Sequence, residues 1–147
     1  MIATLCYLEK DNKYLMLYRN KKEIDINKGK WIGVGGKLEN GETPEQCLVR
    51  EVWEETGYKL NTYKYRGILI FNYNEDEPLF IYVYTSSDFS GVEKKCDEGD
   101  LKWIPKNEIL DLELWEGDKI FLKLLFENSP FFYLTLNYEN NNLLSSK

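Results

Sequence analysis

One stretch, Thr43 to Tyr58, leaves this chain little choice of local structure. Thr43 is a good helix N-cap, Pro44 suits the first helical position, and Gln46 stands three residues after the cap, which together make a capping box. Gly57 is a natural left-handed stop. The spacing predicts a helix from about Pro44 to Thr56, with Leu48, Val52 and Cys47 as its buried stripe. On that helix Glu51, Glu54 and Glu55 fall at i, i+3 and i+4 and project from one face, about one turn apart. Like charges so placed repel each other, and no lysine lies between Glu51 and Tyr58 to relieve them. An acidic helix face alone is commonly just a solvated face. This one makes physical sense if divalent cations sit against it.

The residues before the helix point the same way. Glu42 can join the acidic cluster, and the Gly35-Gly36 turn lets backbone come close enough for a carbonyl to be a further ligand. Arg50 adjoins Glu51 and can orient the carboxylates, and Lys37 can meet a phosphate oxygen as a point charge. The chain has no histidine, so acid–base work falls to Glu, Asp, Lys or Tyr, and a metal site must be rich in carboxylates. That favours Mg²⁺ or Mn²⁺ over zinc.

Around this helix the pattern is mostly strands. Ile2–Glu9 and Tyr14–Tyr18 read as a hairpin turning at Asp11-Asn12, and Trp31–Val34 as a short buried strand. Tyr63–Tyr73, Leu79–Thr85, Leu101–Ile104 and Phe131–Tyr138 read as further strands. A short helix is expected over Pro105–Leu110. A second amphipathic helix is expected over Asp118–Glu127, with Ile120, Leu124 and Leu125 apolar and Phe121 close by. The tail, with Asn140-Asn141-Asn142 and Ser145-Ser146, is expected to fray. Many strands per helix indicate an α+β chain, an α/β/α sandwich with a mixed sheet flanked by helices, in a single domain over residues 1–147.

A net charge of −6 makes the chain a poor binder of nucleic-acid polymers. A small phosphate compound remains a reasonable ligand if cations bridge the two sets of negative charge. Cys6, Cys47 and Cys96 are odd in number and widely spaced, which points to a reducing, cytoplasmic setting rather than a disulfide framework. No signal peptide or membrane span is evident, and a monomer or homodimer is expected.

The segment Gly36 to Tyr58 reads G-x5-E-x7-R-E-U-x-E-E-x-G-U, where U is bulky and apolar or aromatic, and it resembles the Nudix box with every fixed position filled. Gly29–Lys37 and Trp115-Glu116-Gly117-Asp118 resemble segments of the MutT-like branch, the oxidised-purine nucleoside triphosphatases. The resemblance implies a Nudix fold and Mg²⁺-dependent hydrolysis of a nucleoside triphosphate such as 8-oxo-dGTP to the monophosphate and pyrophosphate, which clears damaged precursors before DNA synthesis. It implies Glu54 and Glu55 as main metal ligands, helped by Glu51, the Gly36 carbonyl and Glu98. Glu51 or Glu98 would activate water, with Arg50 assisting, and Lys37 would contact phosphate. Trp115, Asp118, Phe71 and, less strongly, Thr4 would form the base pocket. Ile32 stands where mammalian-type relatives carry an amide, and Gly117 replaces one member of an acidic pair. Other readings are hydrolysis of ADP-ribose or a dinucleoside polyphosphate, and a non-catalytic nucleotide-sensing module that kept this fold.

Overall fold

The computed structural model describes residues 1–147. The chain begins with a hairpin, β1 (Ile2–Lys10) and β2 (Lys13–Arg19), whose turn residues Asp11 and Asn12 both take the positive φ that such two-residue turns require. A short β3 (Trp31–Ile32) precedes helix α1 (Pro44–Thr56). The long strands β4 (Tyr58–Tyr73) and β5 (Leu79–Gly91) follow, then β6 (Gly99–Pro105), the single turn α2 (Lys106–Ile109) and α3 (Glu116–Phe126). Strands β7 (Phe132–Glu139) and β8 (Asn142–Ser146) end the chain.

The strands form one mixed sheet in the order β3-β2-β1-β5-β4-β7-β8, with β6 branching from β2. Pairs β1/β5 and β4/β7 are parallel and the others antiparallel. The opening hairpin splays. β1 and β2 are in register only at Glu9↔Tyr14 and Lys10↔Lys13, beyond which β1 pairs with β5 and β2 with β6. The Gly-rich stretch after β3 bonds to β1 in the gap: Cys6 and Val34 exchange both backbone bonds, and Thr4 N donates to the Gly36 carbonyl at 2.9 Å. This pairing holds the glycine turn against α1.

Alternation along β1 sends side chains to two cores. Cys6 and Leu8 join Leu15, Leu17, Val34, Leu48 and Val52 beneath α1, while Tyr7 joins Leu69, Val83, Phe121 and Leu125 beneath α3. Each large aliphatic side chain so buried contributes about 1.5–3 kcal/mol. The helices therefore cover opposite faces of the sheet, the sandwich expected from the element order. Helix α1 has its expected limits and devices: Thr43 Oγ1 accepts from Gln46 N, the Gln46 side chain caps in return, and Gly57 sits at φ +82°.

Three expectations are corrected. The tail does not fray: β8 pairs with β7, and Leu143 packs against the core beneath α3. β4 starts at Tyr58 and β5 runs on to Gly91, because their polar outer halves bond to each other across β-bulges where no apolar alternation marks them. In α3 the fully buried side chains are Phe121, Leu122 and Leu125, with Ile120 and Leu124 only half-buried. No helix is long and apolar enough to cross a membrane.

Candidate active site

Helix α1 and the glycine turn place the acidic residues at one end of a cavity of about 790 Å³. Gly36 is where they meet: a Cβ there would lie 2.6 Å from the Glu51 carboxyl carbon, so only glycine lets the turn approach the helix so closely. The Gly35 amide donates to Glu55 Oε2 at 2.7 Å. Glu55 is buried at 5% exposure, and its second oxygen, Oε1, is buried with no hydrogen-bond partner. Burial, reinforced by the nearby Glu98 carboxylate, pushes the Glu55 carboxyl up to about 10. Burial would also raise Glu98, but the neighbouring Glu55 carboxyl and the cations of Lys22 and Arg19 outweigh it and hold Glu98 low. Lys22 Nζ lies 2.8 Å from Glu98 Oε1, and Arg19 approaches Oε2 at 3.7 Å. Burial raises Glu51 as well, against the pull of Arg50.

Arg50 is the hub. Its Nε and Nη2 bond the two oxygens of Glu42 at 2.6 and 2.9 Å, a bidentate fork. Its Nη1 bonds Glu51 Oε1 at 2.8 Å and Glu54 Oε2 at 3.1 Å. The Arg50 fork and the Glu39 amide hold the Glu42 carboxyl down at about 2. Glu42 is thus the residue that clamps Arg50. With Arg50 among them, no three acidic or thiol side chains gather closely enough to hold a metal ion as they stand. The donor set nevertheless suits a hard divalent cation: oxygen ligands only, among them a buried carboxyl oxygen of Glu55 without a partner. The Gly36 carbonyl already accepts from Thr4 N and from Cys47 Sγ, whereas no hydrogen bond reaches the Gly35 carbonyl.

The other end of the cavity is apolar. Ile32, Leu69, Phe71, Ile81, Trp115 and Leu136 line it, with Asp118 among them. Trp115 is 4% exposed and stands edge-to-face against Phe71 at 5.6 Å and Tyr138 at 5.0 Å, with Lys30 Nζ over its ring at 4.9 Å. Burial pushes the Asp118 carboxyl up to about 8, against the opposing charge of Lys30. Lys37, Glu51, Glu98, Arg50 and Gly36 line the polar end of this cavity. Of the sequence-predicted residues, Thr4 differs. Its hydroxyl points to the α1 side, 3.4 Å from Cys47 Sγ, and so is turned away from the base end. Thr4 shares the parity of Cys6, and Ala3 and Leu5 are the β1 residues of the opposite parity, on the Trp115 side. Glu54 is 55% exposed at its side chain and lies outside the cavity wall, at its rim. The end of β2 and the β2–β3 loop, where Arg19, Lys22, Asp25 and Asn27 also line the cavity, carry no periodic signal in their charged, turn-like stretch of sequence.

The chain matches the NUDIX domain family model over residues 1–125. This is a Nudix protein. It is 26% identical over 141 residues to the uncharacterized Nudix hydrolase YvcI of Bacillus subtilis, covering 92% of this chain and 85% of that one. It is 29% identical over 111 residues to the oxidized purine nucleoside triphosphate hydrolase of Danio rerio, covering 75% and 71%. Among solved structures, the MutT protein of Bacillus halodurans superposes with a TM-score of 0.90 at 27% identity, covering 99% of this chain and 95% of the other. The Nudix fold is therefore that of the MutT-like proteins, and the chain is a Nudix hydrolase, an enzyme of pyrophosphate bonds.

Proposed function

We propose that this Nudix hydrolase cleaves a purine nucleoside triphosphate, 8-oxo-dGTP foremost, to the nucleoside monophosphate and pyrophosphate. The observation that carries the reading is that one cavity is lined both by carboxylates and by Trp115, Phe71 and Asp118. Its size suits one nucleotide. The relative from Danio rerio, named for oxidized purine nucleoside triphosphates, is similar over three quarters of the chain.

In this reading Glu51, Glu54, Glu55 and Glu98 hold Mg²⁺, or Mn²⁺, with a backbone carbonyl of the Gly35-Gly36 turn. Bound there, the cation supplies a Lewis acid for the phosphoryl oxygens and lowers the pKa of water. Glu55 would offer its unpartnered oxygen to the cation. Glu51 or Glu98 takes the proton of the attacking water. Arg50 keeps Glu51 and Glu54 oriented, anchored in turn by Glu42. Lys37, exposed and free of any ion pair, meets a phosphate oxygen. Trp115 and Phe71 pack against the base, and Asp118 reads its edge. A cytoplasmic enzyme of this kind removes damaged precursors from the nucleotide pool.

The test is product release with Mg²⁺ across 8-oxo-dGTP, the ordinary nucleoside triphosphates, ADP-ribose and diadenosine polyphosphates. The expected result is preference for 8-oxo-dGTP with pyrophosphate released. Activity confined to ADP-ribose or dinucleotides would discard the base-pocket assignment. Silence across the panel would favour a sensing module.

A further inference from the structure

Beside Asp118, one uncharged polar side chain stands at the indole of Trp115. Asn27, in the loop between β2 and β3, accepts a hydrogen bond from Trp115 Nε1 at 2.8 Å. An indole N–H only donates, so the amide atom facing it must be the oxygen. That fixes the orientation of the amide, since the alternative would set two donors against each other. The nitrogen Nδ2 therefore faces away from the indole, and it makes no hydrogen bond within the protein, while Asn27 lines the cavity. The loop is held in place: Asn27 N donates to Asp25 Oδ1 at 3.0 Å, Asp25 Oδ2 accepts from Arg19 Nε at 2.9 Å, and Lys30 N donates to the Asn27 carbonyl at 2.9 Å. Asp118 follows Trp115 in the first turn of α3, its backbone amide donating to the Trp115 carbonyl at 3.0 Å. The neighbouring wall is apolar, with Ile32, Leu69, Phe71 and Leu136.

We infer that Asn27 is a specificity-determining residue, whose Nδ2 donates to a carbonyl oxygen on the edge of the bound base and so selects 6-oxopurine over 6-aminopurine nucleotides. This rests on the purine-nucleotide reading of the cavity and adds to it the group that distinguishes one purine from another. A 6-oxo group offers the acceptor that Nδ2 lacks in the free protein. A 6-amino group would set donor against donor and leave a desolvated amide unpaired, the arrangement by which polar sites discriminate most strongly.

The substitution Asn27→Asp separates reading from support. The carboxylate keeps an acceptor for Trp115 Nε1 and loses the donor. Its added negative charge weakens the phosphates of every nucleotide alike, so a ratio between two bases cancels it. Dissociation constants for the α,β-methylene analogues of dGTP and dATP, read from tryptophan fluorescence with Mg²⁺ present, give that ratio for wild type and variant. The indole N–H resonance of Trp115 reports whether its own hydrogen bond survives, with Asn27→Leu as the variant that removes both functions. The expected result is a dGTP-over-dATP preference in the wild type that falls about tenfold or more in Asn27→Asp, the Trp115 resonance staying in place. A ratio unchanged in Asn27→Asp would overturn the inference and leave Asn27 as a prop for Trp115. Wild-type protein that binds neither analogue, or binds both equally, would overturn it too. Hydrolysis of the triphosphates by wild type decides the proposed reaction separately, because binding of uncleavable analogues does not depend on turnover.

Discussion

Glu54 and Glu55 are neighbours in the sequence with unlike surroundings. Glu55 is buried and bonded to the Gly35 amide, its carboxyl pushed up by burial; Glu54 is exposed and hydrogen-bonded only by Arg50. Replacing Glu54 by Gln therefore changes stability by no more than about 0.5 kcal/mol in a denaturant titration, as expected for an exposed site. Asp118 lends itself to a pH experiment. Its folded carboxyl lies at about 8 against 3.8 for an ordinary one, so between these values the folded state holds a proton that the unfolded state has lost. Stability must then fall as pH rises across that window and level off above it. Asp118→Asn should flatten this part of a Tm-against-pH curve, and a curve unchanged by the substitution would contradict the burial of the carboxyl. At this scale the placement of the three glutamates on α1 was legible, because spacing carries it. The direction of the Thr4 side chain, which could face either side of its strand, was illegible, as was the place of Asn27 on the cavity wall, since it sits in a polar loop without period.

Helix α1 was readable to the residue because its signals are local: a capping side chain, a proline, a glycine. Thr43→Ala removes the bond to Gln46 N and should cost about 1 kcal/mol, measurable as a lower urea midpoint with an unchanged slope. Gly36→Ala acts between elements. Its methyl would meet the Glu51 carboxyl at 2.6 Å, so turnover should drop by roughly tenfold or more while α1 stays folded by circular dichroism. Full activity would mean that the turn and Glu51 need not be so close. Strands were less legible than the helix. The outer halves of β4 and β5 hold together by backbone bonds among polar residues, and β8 is recruited by the open edge of β7, neither of which leaves a hydrophobic pattern to read.

At the scale of the whole molecule, two covered faces of one splayed sheet put the glycine turn, α1 and the β6 approach at one end of the cavity, and α3 at the other. The family match over residues 1–125 ends before β7 and β8, yet β7 supplies Leu134, Leu136 and Tyr138 to the core beneath α3. Tyr138 Oη also accepts from the Gly117 amide at 2.7 Å, so the last strands hold the start of α3 and hence Trp115. Removing residues 141–147 strips β8 and should lower Tm by several degrees while leaving the acidic end of the cavity intact. The fold class was legible from the order of strands and helices, but the splay of the first hairpin was not, since it arises from long-range pairing of β1 with β5 and β2 with β6.

In the proposed reaction the acidic face of α1 serves cleavage of a nucleotide diphosphate linkage with the help of a divalent cation. The most direct measurement is pyrophosphate released from 8-oxo-dGTP by wild type and Glu54→Gln, each with and without Mg²⁺. Release by wild type is expected only when Mg²⁺ is present, with a loss of roughly a hundredfold or more in the variant, its Tm unchanged. Undiminished turnover in Glu54→Gln, or wild-type turnover indifferent to Mg²⁺, would contradict it.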